Sequence, residues 1–369
     1  MIGFDLSEEQ KMVRETIAAF ATEEIRPAAR TADETGSIPT ALIQKGWELG
    51  LVRGAIPENC GGYGDPRSAV TGAIVAEELA FGDLAIGLHM LAPRLLAFPL
   101  ISCGTEEQRM RYLPSLATDN YAVGTAALVE PRFDFEPSSM ATGSRREGAA
   151  FVLNGGKCYV PLAAEAGVIL VYAASDIDAG FAGVDAFLVP RDTSGLTLAG
   201  REQNMGIKAL ATFELSMRDC RLGEDARLGG AGGINFTRLL SESRVATAAM
   251  AVGVARAAYE YARDYAKERK AFGVPIATKQ AIAFMLAEMA IEVDAARLLV
   301  WDAASRLDKG DAALKESYQA RNYAAQAALT ITDNAVQVLG GHGYIREHPV
   351  ELWLRNARGL AVVEGLATI

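Results

Sequence analysis

The sequence predicts an α+β multidomain chain: helical over residues 1–121, β-rich over 122–232 and helical again over 233–369. Three patterns carry that division. Apolar residues at helical spacing, Met12, Val13, Ile17 and Phe20, open the chain. Phe213, Leu215 and Met217 alternate with Glu214, Ser216 and Arg218, the mark of a half-buried strand. Helical period resumes near Gly233 and persists through Ile282, Met285, Leu286, Met289 and Val293, with Glu288, Glu292 and Asp294 around that face. A chain of 369 residues also exceeds one core of ordinary size, which favours two or three domains.

Taken in order, Ser7 followed by Glu9 and Gln10 predicts a capped first helix. The tract Asn59-Cys60-Gly61-Gly62-Tyr63-Gly64-Asp65-Pro66 cannot hold a helix and predicts a loop. Helical patterning returns through Glu77, Glu78 and Leu79 and again from Glu106 to Leu113. The texture changes near Tyr121. Phe151-Val152-Leu153 meets Asn154-Gly155, which predicts a hairpin turn with Tyr159-Val160 as the return strand. Gly167 to Tyr172 and Ala186 to Val189 have strand-like composition. Alanine-rich stretches at Ala246 to Ala258 and Ala324 to Ala328 favour helix and permit close helix–helix approach. The sequence shows no fixed repeat and no low-complexity tail.

Half of the residues are hydrophobic and 22% are charged, enough apolar material for a large core. A net charge of −10 argues against general nucleic-acid binding, which needs clustered Lys and Arg, while leaving room for a nucleotide in a locally basic pocket. No early basic start with a long apolar run reads as a signal peptide, and runs such as Ala122 to Val129 are too short to span a bilayer. Cys60, Cys103, Cys158 and Cys220 are dispersed and form no CxxC pair, so free thiols and a cytoplasmic location are expected. With only His89, His342 and His348, and no i, i+4 histidine pair, no metal site is expected.

Two C-terminal tracts are the most specific. The first is Glu268-Arg269-Lys270-Ala271-Phe272-Gly273, then Pro275-Ile276, Gln280 and Met285-Leu286-Ala287-Glu288-Met289. The second is Gln337-Val338-Leu339-Gly340-Gly341-His342-Gly343-Tyr344, then Pro349-Val350-Glu351 and Arg355-Asn356-Ala357-Arg358. Together, in this order and at this separation, they resemble the signatures of the flavin-dependent acyl-CoA dehydrogenase family, and the resemblance runs along nearly the whole chain. It implies a middle β-barrel-like domain and a C-terminal four-helix-bundle domain. It also implies FAD as cofactor, an acyl-CoA substrate, an electron-transferring flavoprotein as electron acceptor, and a homo- or hetero-tetramer built as a dimer of dimers.

Residue by residue, the resemblance places Arg269, Phe272, Gln280, Gln337 and Gly341 at the diphosphate and adenine end of FAD, donated to the flavin of a neighbouring subunit. Arginine makes charge-assisted bonds to phosphate, an aromatic ring packs on the dinucleotide, and glycine lets backbone approach it. Val363-Glu364-Gly365 matches the tract whose glutamate removes the substrate's α-proton while the β-hydrogen leaves as hydride to flavin N5, giving an enoyl thioester. A carboxylate suits the proton step, and the flavin carries the redox chemistry. Arg244 is expected near that base. In some members the base stands earlier, just before this arginine; that slot is Ser243 here, with Glu242 one residue out of register, so Glu364 is the expected base.

The middle domain departs from the family where it meets the flavin ring. Thr-Glu-Pro is usual; Val129-Glu130-Pro131 stands here, followed by Arg132-Phe133-Asp134-Phe135-Glu136-Pro137 in place of a glycine- and serine-containing stretch. Valine has no hydroxyl for the ring's pyrimidine side, though its backbone can bond there. Trp-Ile-Thr is replaced by Tyr159-Val160-Pro161: tyrosine can stack on a flavin, while proline offers neither hydroxyl nor N–H. Gly-Thr after the base becomes Gly365-Leu366, and Ile369 falls short of the family's customary last helix. The expected function is α,β-desaturation of an acyl-CoA. The alternative is a non-catalytic or FAD-completing partner subunit of a heteromeric acyl-CoA dehydrogenase. A flavin monooxygenase on the same fold is disfavoured, since it needs no base at Glu364.

Overall fold

The first helix, α1 (Glu8–Phe20), begins at a reciprocal capping box. The Gln10 N–H donates to Ser7 Oγ at 3.1 Å and the Ser7 N–H donates to Gln10 Oε1 at 3.0 Å, in a computed structural model that describes residues 5–369. A π-helical turn, Ala21–Ile25, leads into α2 (Arg26–Thr35), whose first turn holds Pro27, where a missing N–H costs no hydrogen bond. After α3 (Thr40–Glu48), the glycine-rich tract forms short turns and loop, as its composition predicts. Next come α4 (Ala69–Gly82), α5 (Leu84–Leu91), α6 (Arg94–Cys103) and α7 (Glu106–Tyr112). The stretch Leu84–Cys103 is long and apolar enough to cross a membrane by length and composition, but 89% of its apolar window is buried inside the fold. It is core.

The middle of the chain forms one curled seven-stranded sheet. Its strands are β1 (Ala126–Ala127), β2 (Gly143–Glu147), β3 (Ala150–Pro161), β4 (Val168–Ala174), β5 (Val184–Pro190), β6 (Leu196–Arg201) and β7 (Thr212–Gly223). The order is β1-β4-β2-β3-β7-β6, with β5 on the other edge of β4. Along β7 the predicted alternation holds: Phe213, Leu215 and Met217 are buried, and Glu214 and Arg218 face solvent.

One local expectation is corrected. Asn154-Gly155 is not a hairpin turn but lies inside β3, at a bulge between Leu153 and Gly155. The turn falls earlier: Glu147 pairs with Ala150 across Gly148-Ala149, and Gly148 supplies φ +64°. The reason is steric. A Cβ on Gly155 would lie 2.6 Å from the Thr142 Cα, so glycine serves close backbone approach rather than chain reversal. Asn154 instead pairs across strands with Asp219, accepting its N–H at 2.9 Å.

The C-terminal part opens with α8 (Phe236–Glu268). A small hairpin of β8 (Lys270–Ala271) and β9 (Val274–Pro275) follows, then α9 (Gln280–Asp308), α10 (Leu314–Leu339), the single turn α11 (Gly341–Tyr344) and α12 (Val350–Leu360). Helices α8, α9, α10 and α12 pack as a four-helix bundle whose seam is the alanine-rich run of α8 against that of α10. Small side chains bring the axes close. At Gly253 the approach of α4 is closest: a Cβ there would sit 2.2 Å from the Glu77 carbonyl oxygen.

The same crossing buries an ionic cluster. Arg256 pairs with Glu77 at 3.0 Å and with Glu78, and Arg297 reaches Glu77 at 3.0 Å from α9. Each carboxylate is charge-matched, which is what makes its burial tolerable. One apolar core runs continuously from α1, α4 and α5 into the bundle. A second joins α6 and the first turns of α8 to one sheet face, and a third fills the curl of the sheet. The sheet is therefore held against both helical parts, and residues from all three meet at its edge.

Asp83 gives the fold a pH signature. It caps α5 by accepting the Ile86 N–H at 2.9 Å and accepts from Asn356 Nδ2 at 3.3 Å, with no cation in contact among the described residues. Burial pushes its carboxyl up to about 6. Between an unfolded value near 3.8 and about 6, the folded chain holds the proton that the unfolded chain releases, so this group's contribution to stability falls as pH rises through that window. Buried His89, pulled down to about 4, contributes the opposite slope over this window, so the test is the stability difference between the chain and Asp83→Asn in thermal unfolding from pH 4 to 7, which should carry the Asp83 slope. A difference that stays constant with pH would show that Asp83 contributes no such slope.

Candidate active site

Glu364 stands four residues beyond the end of α12, in a turn that the sequence shapes closely. Gly365 takes φ +77°, and a Cβ there would sit 2.8 Å from Leu128 Cδ2, so the segment passes tight against the chain just after β1. Arg321 of α10 donates from Nη2 to the Val363 carbonyl at 3.1 Å and holds the turn from its other side. The result is a glutamate 8% exposed, although it follows the last helix of the chain.

Its partner is Arg244, buried on α8. The Arg244 Nε donates to Glu364 Oε1 at 2.5 Å, and Arg321 Nε lies 3.9 Å from the same oxygen. Two guanidinium groups thus flank Oε1. The other oxygen, Oε2, has no donor among the described residues and faces a cavity of about 800 Å³. A carboxylate with one oxygen tethered and one free is arranged to accept a proton from a bound molecule. The Tyr318 ring lies 5.1 Å from the Arg244 guanidinium carbon, which fixes the arginine from the cavity side.

The opposite wall comes from the sheet. Val129 and Tyr159 both line this cavity, with Cys158, Glu202 and Glu214. Tyr159 sits at φ +53° within β3, and its N–H donates to Glu202 Oε1 at 3.2 Å. The Val129 carbonyl is engaged by the Cys158 N–H at 2.9 Å. Its N–H has no acceptor among the described residues, so one backbone donor remains on this wall. Pro161 is buried in β3 opposite Thr212, and its carbonyl accepts the Thr125 hydroxyl; it is not part of the cavity lining.

Glu130, between Val129 and Pro131, has a structural task. Its carboxylate accepts the N–H groups of Ala141 and Thr142 at 2.8 and 2.7 Å, and Lys157, fully buried, reaches it at 3.2 Å. The stretch from Arg132 to Met140 is thereby anchored at its end, and Arg132, Phe133, Phe135 and Glu136 from it line the cavity. Glu242, the out-of-register alternative, points elsewhere: Arg67 and Arg238 each bind it at 2.8 Å.

The second group of predicted residues lies apart. Arg269, Phe272, Gln280, Gln337 and Gly341 are all exposed and none lines the Glu364 cavity. Phe272 is 96% exposed at φ +55°, at the tip of the β8–β9 hairpin. Arg269 makes no ion pair among the described residues and borders another cavity, of about 540 Å³, with Tyr261, Tyr265, His342 and His348. The ring's aromatic contact within the described residues is the exposed Lys279 ammonium, 5.8 Å from its centre, so its apolar surface stays open in a left-handed conformation that is costly for phenylalanine. The two groups of predicted residues do not meet within one protomer.

Several cavity residues escaped the sequence pattern. Arg321, Tyr318 and Asn322 come from the middle of α10, where nothing separates them from an ordinary polar helix face. Their helical spacing of three and four residues was the one available signal.

Comparison with known proteins agrees along the chain. Three family models match, described as the acyl-CoA dehydrogenase N-terminal domain over residues 7–120, middle domain over 125–220 and C-terminal domain over 230–369. The short-chain specific acyl-CoA dehydrogenase of Bos taurus mitochondria is 37% identical over 368 residues, covering 99% of this chain and 89% of that protein. The solved butyryl-CoA dehydrogenase of Megasphaera elsdenii superposes with a TM-score of 0.87 at 29% identity, covering 100% of this chain and 96% of that one. A glutaryl-CoA dehydrogenase from Mycobacterium smegmatis, solved in complex with FADH2, superposes at 0.85 with 26% identity, covering 98% and 92%.

The ion pair at the site makes a direct prediction. Arg244→Met should strand a buried carboxylate and lower unfolding free energy by about 3 kcal/mol in urea denaturation at pH 7. Adding Glu364→Gln to that background should recover most of the loss. Equal stability of Arg244→Met and the parent chain would mean that Arg321 alone suffices as counter-ion.

Proposed function

The chain belongs to the acyl-CoA dehydrogenase family, and from that premise we propose that it desaturates an acyl-CoA thioester between its α and β carbons, with Glu364 as the base. The observation that carries this reading is the free Oε2 of a carboxylate whose other oxygen is bound by Arg244, set in a cavity whose far wall is the sheet. FAD is the cofactor; when bound, it supplies the two-electron oxidant that accepts the β-hydrogen with its electron pair.

The chain's own residues do the rest. A thioester carbonyl acidifies the neighbouring C–H, and Glu364 takes that proton onto Oε2. Arg244 and Arg321 orient the carboxylate and keep Oε1 occupied, so one oxygen alone is available for proton transfer. Phe133 and Phe135 contribute apolar lining to the cavity. Val129 and Tyr159 are proposed to meet the flavin ring, Val129 through its unengaged backbone N–H and Tyr159 through its face.

Arg269, Phe272, Gln280, Gln337 and Gly341 fit the dinucleotide end of FAD in their chemistry: a cation, a ring, two amides and a bare backbone, all exposed. Because they are exposed and none lines the Glu364 cavity, they are proposed to complete the flavin site of an adjoining subunit. The exposed Phe284, Ile291 and Leu298 on α9 supply apolar surface for a tetramer. Electrons are proposed to leave to an electron-transferring flavoprotein. The same exposed set would equally serve a different, flavin-holding chain, the heteromeric alternative.

Expression of the chain alone, followed by visible spectroscopy and anaerobic mixing with an acyl-CoA, tests both points. The expected result is stoichiometric flavin that bleaches on mixing, and a Glu364→Gln variant that keeps the flavin while bleaching about 10²–10⁴-fold more slowly. Full-rate bleaching in the variant would remove Glu364 from the mechanism. A colourless chain that acquires flavin only with a second polypeptide would decide for the heteromeric reading.

A further inference from the structure

Two tyrosines and two histidines join the segments that carry Arg269 and Gly341. Tyr261 and Tyr265 stand one helical turn apart near the end of α8. The Tyr261 hydroxyl meets His348 Nδ1 at 2.7 Å, and the Tyr265 hydroxyl meets His342 Nδ1 at 2.9 Å. Neither hydroxyl has another partner among the described residues, so each donates its hydrogen to Nδ1 and each ring accepts there. The two imidazoles also stack on each other, with centres 5.2 Å apart and planes 11° from parallel.

This cluster reaches the exposed edge from both sides. Tyr265 holds Arg269 as well as His342, because its carbonyl accepts the Arg269 N–H at 2.8 Å. His342 follows Gly341 in the single turn α11. That turn is pressed on α10: a Cβ at Gly343 would sit 2.4 Å from the Val336 carbonyl oxygen. The rear of the cluster is seated on other helices. Tyr261 meets Trp353 of α12 edge-on at 5.7 Å, and the His348 carbonyl accepts from Arg30 Nη2 at 3.0 Å. Arg269 and both histidines border the cavity of about 540 Å³. A structural metal would need further ligands, and no three His, Cys, Asp or Glu side chains among the described residues group to supply them.

We propose that His342 and His348 are positioning residues for the dinucleotide end of FAD, acting through Tyr265 and Tyr261. They pin α11, and with it Gly341, to the end of α8, and with it Arg269. This rests on the proposed role of that edge in completing an adjoining subunit's flavin site. A single tether would let α11 turn about it. Two tethers a helical turn apart, joined by stacked rings, remove that freedom. The guanidinium and the bare backbone then keep one spacing for a diphosphate, with less ordering left to occur on binding.

The test is FAD titration of the flavin-stripped protein in its native assembly, read by flavin fluorescence, with thermal unfolding as a check on folding. His342→Leu removes the acceptor for Tyr265 and should weaken FAD about tenfold. Asparagine offers Oδ1 in place of Nδ1, so His342→Asn should restore most of that affinity. Tyr265→Phe should weaken FAD as His342→Leu does, and the two changes together should cost no more than either alone. Arg269→Met tests the underlying reading and should also weaken FAD. Parent-like affinity in Arg269→Met would remove that reading. Weakened FAD in Arg269→Met beside parent-like affinity in His342→Leu, or no recovery in His342→Asn, would overturn the positioning role alone. If His342→Leu does not fold, Tyr265→Phe decides, since it deletes one hydroxyl, and parent-like affinity there would overturn the role equally.

Discussion

The contact between Arg244 and Glu364 is the constraint on which the site depends. It ties the middle of the longest helix, α8, to the turn beyond α12, and so fixes where the chain runs after its last helix. A carboxylate buried without such a partner would be driven to protonate or to turn outward. With it, Glu364 stays inside and points one oxygen at open space. Arg321 extends the constraint by gripping the backbone one residue earlier, so side chain and main chain are held from two helices. Gly365 then lets the segment pass Leu128, which brings the sheet wall and the glutamate to one cavity.

That cavity lies between the sheet and the C-terminal helices, and the cores explain how these stay in register. The helical regions at either end share one apolar core, and the sheet packs against α6 and the start of α8 through another. Positions contributed by α8, α10, the final turn and the sheet are therefore set by packing rather than by a flexible loop. The exposed group around Phe272 follows the opposite logic. It sits on a hairpin where Phe272 stays almost fully exposed beside Lys279, at a backbone angle that is unfavourable for phenylalanine. Its fitness lies in what an adjoining surface would do with it.

Much of this was legible before any coordinates. The order of helical, β and helical texture followed from periodicity, and the alternation at Phe213 to Arg218 identified β7, because side-chain period reports burial directly. Glu364 and Arg244 were singled out by resemblance, not by local pattern, since a glutamate near a chain's end carries no burial signal of its own. Asn154-Gly155 misled, because a turn dipeptide and a bulge that admits a neighbouring strand require the same glycine freedom. Arg321 was invisible: it is one arginine among many until tertiary packing removes water from it. What the sequence concealed was which charges are buried, and that is a property of the assembled chain.

The most direct measurement of the central claim is hydrogen exchange at the thioester itself. A saturated acyl-CoA incubated with the flavin-loaded protein in deuterated water would be recovered and its label located by mass spectrometry and NMR. A base at Glu364 facing the substrate predicts deuterium at the α carbon, incorporated far faster than without protein. Recovery of unlabelled thioester alongside product formed at an unaltered rate from α-deuterated substrate would contradict it, for then no proton at that carbon passes through the carboxylate.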